Sequence, residues 1–268
     1  NYTFRGMPNN GTISASVTAN TGFNNQTLVG NPYPSAINAN KFIRDNIPSS
    51  IDNTANSGTT GSIDGTLYFW KQASTNSSHI LADYEGAYAT YNLLGGLSAA
   101  APADINGAGD AISARPGQFI PVGQGFFVTA ADIGDQISPQ VSFKNSQRVF
   151  VKETSGASEF FRSSNETVDN IQRVRLTFTT PENATRPLLL AFTPDNEATE
   201  GFDYGYDAKN SDDFPSDMSF IIEDKKYVIQ GAGEFNEDNS IVWGASWLRF
   251  MSAIDSNGYC LDIKGDLK

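Results

Sequence analysis

Thirty Asp and Glu residues against 18 Lys and Arg make carboxylates the first place to look for chemistry. The densest group lies in PDNEATEGFDYGYDAKNSDD at 194–213, where Asp195, Asp203, Asp207, Asp212 and Asp213 fall among many backbone carbonyls. Hard oxygen donors carried on a loop are calcium chemistry, so these five are the candidate metal ligands and calcium the one candidate cofactor. A solvated acidic loop is the plainer reading of the same run. DINGAGD at 104–110 sets Asp104, Asn106 and Gly109 at the first, third and sixth positions of a calcium loop. It fails at the fifth and twelfth, where Ala108 and Arg115 stand in place of ligands. Carboxylate pairs also serve glycoside hydrolysis when they flank a cleft about 5–10 Å apart. EFNED at 234–238 and DNEATE at 195–200 read as turns instead, and the E-x-D-x-E strand pattern of a laminarinase-type jelly roll does not occur.

Nucleophilic catalysis finds little to work with. The one histidine, His79, sits in the polar turn TNSSHILADY, and any Ser-His-Asp or Cys-His system would depend on it. No G-x-S-x-G elbow is present, and Cys260, the only cysteine, lies in SNGYCLDI without a nucleophile signature. One His and one Cys are also too few for the usual zinc sites. No residue is assigned a catalytic role.

Aromatic side chains offer a different chemistry. Period-2 alternation in LYFW puts Leu67 and Phe69 on one face of a strand and Tyr68 and Trp70 on the other. Tyr84, Tyr88 and Tyr91 follow, while Tyr204 and Tyr206 flank Asp203 and Asp207. A flat apolar ring beside Asp and Asn is what a sugar requires, a face to stack on and partners for its hydroxyls. The ligand-binding candidates are therefore Trp70, Tyr68, Tyr88, Tyr91, Tyr204 and Tyr206. The plainer reading is that most aromatics of a β protein form its core.

The elements that must carry these residues are short strands. GTISASVTA, QTLVG, GTLYFWKQ, GAYATYNLL, QFIPVGQGFFVTA, QVSFKN, RVFVKE, RVRLTFTT, RPLLLAFT, MSFIIED and KKYVIQG are apolar or alternating runs bounded by Gly, Pro, Asn or Asp. Their spacing predicts an all-β fold, an antiparallel sandwich of jelly-roll type, as one sandwich or two packed units. The stretch ETSGASEFFRSSNETVDNI at 153–171 divides two strand-rich halves. It places a first unit at 1–155 and a second unit, or the completion of the same sandwich, at 156–268. In LVGNPYPSAINANKFIRDN the two prolines stop the strand ending at Val29. A short helix is expected after them, with Ser35 as its cap and Ala39, Phe42 and Ile43 on one face.

A net charge of −12 argues against nucleic acid, whose binding is driven by Lys and Arg, and against an anionic membrane surface. No apolar run approaches the roughly 18 residues of a membrane span, so no direct membrane insertion is expected. The opening NYTFRGMPNNGTISASVT reads as strand, turn and strand rather than as a leader, in keeping with a segment of a longer protein.

In order along the chain, FRGMPNNGTISASVT, LVGNPYPSAINANKFI, GTLYFWKQ, YATYNLLGG, VGQGFFVTA, VSFKNSQRV, FFR and GFDYGYDAK resemble modules of large secreted or surface proteins of Bacteroidetes. Such modules typically lie upstream of a type IX secretion sorting domain. The likeness runs from residue 1 to about 240; after Asn239, IVWGASWLRFMSAIDSNGYCLDIKGDLK departs from it. The resemblance implies an all-β module of secreted or cell-surface location, of a kind found in adhesins and in multidomain carbohydrate-active proteins. The expectation is a non-catalytic extracellular module for adhesion or carbohydrate binding, with a glycan or cell-surface partner. A structural spacer and a polysaccharide-degrading enzyme are the alternatives.

Overall fold

Alternating apolar residues become paired strands in the computed structural model. It describes residues 5–18, 26–48, 62–72, 86–101, 115–132, 139–150, 169–181, 184–194, 196–199, 201–212, 214–234, 248–251 and 260–266. The first half holds β1 (Ile13–Ser16), β2 (Gln26–Gly30), β3 (Ala36–Asn38), α1 (Ala39–Asn46), β4 (Ile63–Gln72) and β5 (Gly86–Asn92). It continues with β6 (Gly95–Leu97), β7 (Phe119–Ile120), β8 (Gly125–Ala130), β9 (Gln140–Phe143) and β10 (Arg148–Val149). The second half holds β11 (Gln172–Thr179), β12 (Thr185–Phe192), β13 (Ala208–Lys209), β14 (Asp217–Ile222), β15 (Lys225–Ala232), β16 (Leu248–Met251) and β17 (Cys260–Asp266).

The fold is all-β and sandwich-like, with one α-helix among the described residues. A five-stranded sheet runs β2-β8-β4-β5-β6, all antiparallel. A seven-stranded sheet runs β16-β14-β15-β12-β11-β17, with β13 joined to β15, and only β12 and β15 pair in parallel. Two small sheets, β1-β9 and β10-β3-β7, complete the first half. One continuous apolar core includes Phe69 and Phe126 of the five-stranded sheet together with Leu189 and Ile229 of the seven-stranded one. The division drawn between residues 155 and 156 lies outside the described residues. The segment after Asn239 supplies both edges of the large sheet, since β16 pairs β14 and β17 pairs β11.

The NPYP stretch is architecture. Asn31 donates through Nδ2 to the carbonyls of Ser35, Ile120 and Pro121, and its Oδ1 accepts from the Tyr33 amide at 3.0 Å. Tyr33 is buried, donates its hydroxyl to the Gly11 carbonyl at 2.6 Å, and carries the Arg148 guanidinium over its ring. Ala39, Phe42 and Ile43 are fully buried as the helical spacing predicts, with Phe42 stacked on Phe143 at 4.9 Å. The cap differs from expectation. Asn38, not Ser35, accepts from the Lys41 amide, because Ala36–Asn38 is drawn into a strand between β10 and β7 before the helix begins. Ser35 Oγ accepts from Arg148 Nε instead.

Candidate ligand-binding face

The alternation in β4 separates two environments. Leu67 and Phe69 point into the core and are fully buried. On the opposite face, cross-strand register sets Tyr68 beside Phe127 of β8, Phe127 beside Leu28 of β2, and Trp70 beside Tyr88 of β5. That outer face is covered along only part of its width. The segment 201–209 lies over it: the Gly205 amide donates to the Asp64 carbonyl at 2.8 Å, Thr66 Oγ1 donates to the Asp207 carbonyl, and the Tyr68 hydroxyl to the Lys209 carbonyl. Tyr68 is therefore buried. Beyond this cover the sheet is open, with Trp70 39% and Leu28 63% exposed and Tyr88 and Phe127 half-buried.

These open residues form a strip. Trp70 meets Tyr88 edge to face at 5.1 Å between ring centroids, and Tyr88 meets Phe127 the same way at 5.6 Å. Gly86 makes room for the indole: a Cβ there would come within 2.7 Å of Trp70 Cζ2. The rings hold one another in place, so their open surfaces are presented without the entropy loss of ordering mobile side chains.

Beside Tyr88, on the side away from Trp70, the two halves of the chain leave a notch of about 10 Å³. Its polar wall is Ser98, Asn210, Ser211, Asp212 and Arg186. Arg186 is buried and clamps Asp217 through Nε and Nη2, both at 2.8 Å, while Nη1 donates to Asp212 Oδ1 at 2.9 Å and Nη2 to the Asp212 carbonyl at 2.7 Å. The Phe214 ring lies 4.4 Å from the guanidinium carbon. A larger groove of about 360 Å³ runs between the extended arm at residues 5–9 and the NPYP turn, near the exposed Met7 and Val122.

The other candidates divide sharply. Tyr91 is buried and donates to Asn40 Oδ1 at 2.8 Å. Tyr206 is buried and donates to Glu197, which also pairs with Arg44. Tyr204 is partly buried against Phe202, its hydroxyl on the Asp132 carbonyl. Of the six aromatic candidates, Trp70 and Tyr88 share the open strip, and Phe127 and Leu28 join them unforeseen. Alternation in GQGFFVTA marked Phe127 as facing opposite to Phe126, and that was the signal available.

Among the acidic candidates, Asp195 and Asp213 lie outside the described residues, as do His79, Tyr84 and the 104–110 stretch. Asp203 accepts through Oδ2 from the Thr199 amide and hydroxyl. Asp207 accepts from the amides of Asp203 and Gly231. Burial raises the pKa of both carboxyls above the usual range. Among the described residues no three His, Cys, Asp or Glu are grouped to hold a metal ion. Sequence reasoning missed Asp64, which is buried at the start of β4 with Oδ1 accepting from the Thr66 amide at 2.9 Å. Burial pushes its carboxyl up to about 7, against the opposing pull of the Thr66 amide and Lys209.

A family model described as a domain of unknown function (DUF8693) matches residues 1–249. The chain belongs to that family. The matched span takes in every element from β1 through β15 and ends within β16, so strands of both large sheets fall inside it. No curated protein and no solved structure matches the chain.

Proposed function

We propose that the chain is a non-catalytic module of a secreted or cell-surface protein and that it binds a glycan through the strip formed by Leu28, Phe127, Trp70 and Tyr88. The observation that carries this reading is the open half of the five-stranded sheet's outer face. Apolar side chains left in water on a sheet otherwise covered by its own chain mark a contact surface. Rings are suited to the apolar faces of sugars, and the adjoining notch offers hydroxyl and carboxylate partners. The motif resemblance to exported β modules supports the extracellular setting, and the acidic surface disfavours nucleic acid.

Affinity electrophoresis against soluble plant and marine polysaccharides tests the reading. Retardation by one or more polysaccharides that is lost in Trp70→Ala is the expected result. Unchanged mobility on every polysaccharide would remove it and leave the chain as a spacer that holds neighbouring domains apart.

A further inference from the structure

We infer that the glycan taken by this face is neutral, and that one of its hydroxyls enters the notch beside Tyr88; the inference rests on reading the aromatic strip as a glycan site. Leu28, Phe127, Trp70 and Tyr88 belong to β2, β8, β4 and β5, which are successive neighbours in the sheet. Adjacent strands lie about 4.8 Å apart, so the strip crosses the strands over roughly 15 Å. At its end stands the notch, which Tyr88 also lines. A linear chain lying on the rings therefore reaches the notch as it leaves Tyr88.

The size of the notch selects what enters. A volume of about 10 Å³ has room for one water-sized group. A sugar hydroxyl is a group of that size.

Its electrostatics select in the same direction. Arg186 is the cation of the lining, and four of its five N–H bonds already go to Asp212 and Asp217. It has little left to offer an anion. The Asp212 side chain remains 40% exposed, and as a carboxylate it only accepts hydrogen bonds. A sugar hydroxyl can donate to it, while an anionic substituent meets a like charge on a protein that already carries −12.

Two substitutions alter the notch without disturbing the ring strip. Asp212→Asn removes the charge but keeps an oxygen for Arg186 Nη1, and Arg186 retains Asp217 on two further bonds. Ser98→Val fills the space with a methyl group and removes a hydroxyl from the lining. Calorimetric titration would use the hexasaccharides of cellulose, xylan, mannan and laminarin as neutral probes, and hexamers of polygalacturonate and alginate as anionic ones. Expected is Trp70-dependent binding of at least one neutral hexamer, weakened about tenfold or more by each notch substitution, the scale of losing a hydrogen bond to a charged partner. The melting temperature of Ser98→Val should stay near the wild-type value, and that of Asp212→Asn should fall only modestly, since Arg186 keeps Asp217. Trp70-dependent binding that ignores both substitutions, or that prefers the anionic hexamers, overturns the inference and leaves the glycan reading standing. Absence of Trp70-dependent binding to all six hexamers removes both.

Discussion

Gly65 and Gly205 touch backbone to backbone: a Cβ on Gly65 would lie 2.5 Å from Gly205 Cα and 2.7 Å from its nitrogen. Both glycines are left-handed, at φ 90° and φ 84°. Their contact lets the segment 201–209 press onto β4, with the Gly205 amide on the Asp64 carbonyl and the Leu93 amide on the Gly205 carbonyl. This contact decides which part of the outer sheet face is buried and which part remains open for the aromatic strip.

Gly65→Ala should therefore be costly. The new methyl meets backbone, which cannot rotate away, and the residue must hold a left-handed conformation, so a loss of about 3 kcal/mol or more is expected. Gly205→Ala should cost less, about 1–2 kcal/mol. Its Cβ would meet the side-chain ends of Ile47 and Leu93 at 3.1 Å, and side-chain ends give way more easily than backbone. Urea denaturation of the two variants checks the order, and equal losses would contradict the backbone contact.

The strands were legible in the sequence because their signals are local. QTLVG coincides with β2, and the alternating run RVRLTFTT and the apolar run RPLLLAFT became β11 and β12, paired from Gln172 with Phe192 to Thr179 with Thr185. What was not legible came from partners far along the chain. Alternation showed that Tyr68 faces away from Leu67 but not that the face is covered there. The cover arrives from Asp207 and Lys209, both bonded across a separation of 141 residues. The short strand Ala36–Asn38 exists because Arg148–Val149 and Phe119–Ile120 flank it, and nothing within SAIN announces those neighbours. The spacing of Asp203 and Asp207 is visible in the sequence, but the amides of Thr199, Asp203 and Gly231 that their oxygens accept from are set only by the folded loop and β15.

Asp64 gives the stability of this joint a pH dependence of definite sign. Its carboxyl titrates near 3.8 when unconstrained and is pushed up to about 7 by burial in the fold. The unfolded chain ionises first as pH rises, so stability is full below about pH 4 and is lost progressively up to about pH 7. Asp203 and Asp207, raised by the same cause, act in the same direction. Asp64→Asn keeps an acceptor for the Thr66 amide and removes the titration. It should match wild type near pH 4 and exceed it at pH 8 by an amount of the order of a few kcal/mol at most. Thermal melts of both proteins from pH 4 to pH 8 measure the divergence, and parallel curves would show that Asp64 does not titrate in that window.

The Arg186–Asp217 clamp makes a second energetic prediction. Both side chains are buried, so Arg186→Met leaves the Asp217 charge uncompensated in the interior, and Asp217→Ala leaves Arg186 with the partly exposed Asp212 alone. Asp217→Ala should lose about 3–5 kcal/mol, and Arg186→Met a comparable amount. The double variant Arg186→Met, Asp217→Asn keeps an oxygen for the Met218 amide and places an apolar chain against Phe214. It should be more stable than Asp217→Ala, because the cost of a buried pair lies chiefly in orphaning one member. Denaturation of Arg186→Met, Asp217→Asn, Asp217→Ala and the double variant decides this, and losses of Arg186→Met and Asp217→Asn that add in the double would mean that the two residues do not act as a unit.

Neighbouring residues on one strand separate binding from folding. Phe69 is fully buried and packs on Phe126 at 5.5 Å, so Phe69→Ala should cost about 3–5 kcal/mol by leaving a cavity. Trp70 points to the opposite face, and its contacts with Tyr88 and Gly86 cover only part of the indole. Trp70→Ala should cost about 1 kcal/mol, near the average for a point substitution, while abolishing retention on polysaccharide. A core role for Trp70 would be exposed by the reverse pattern, a large fall in melting temperature with binding intact at low temperature. The two substitutions carry the test because adjacent residues of β4 share the backbone and differ in the face they serve.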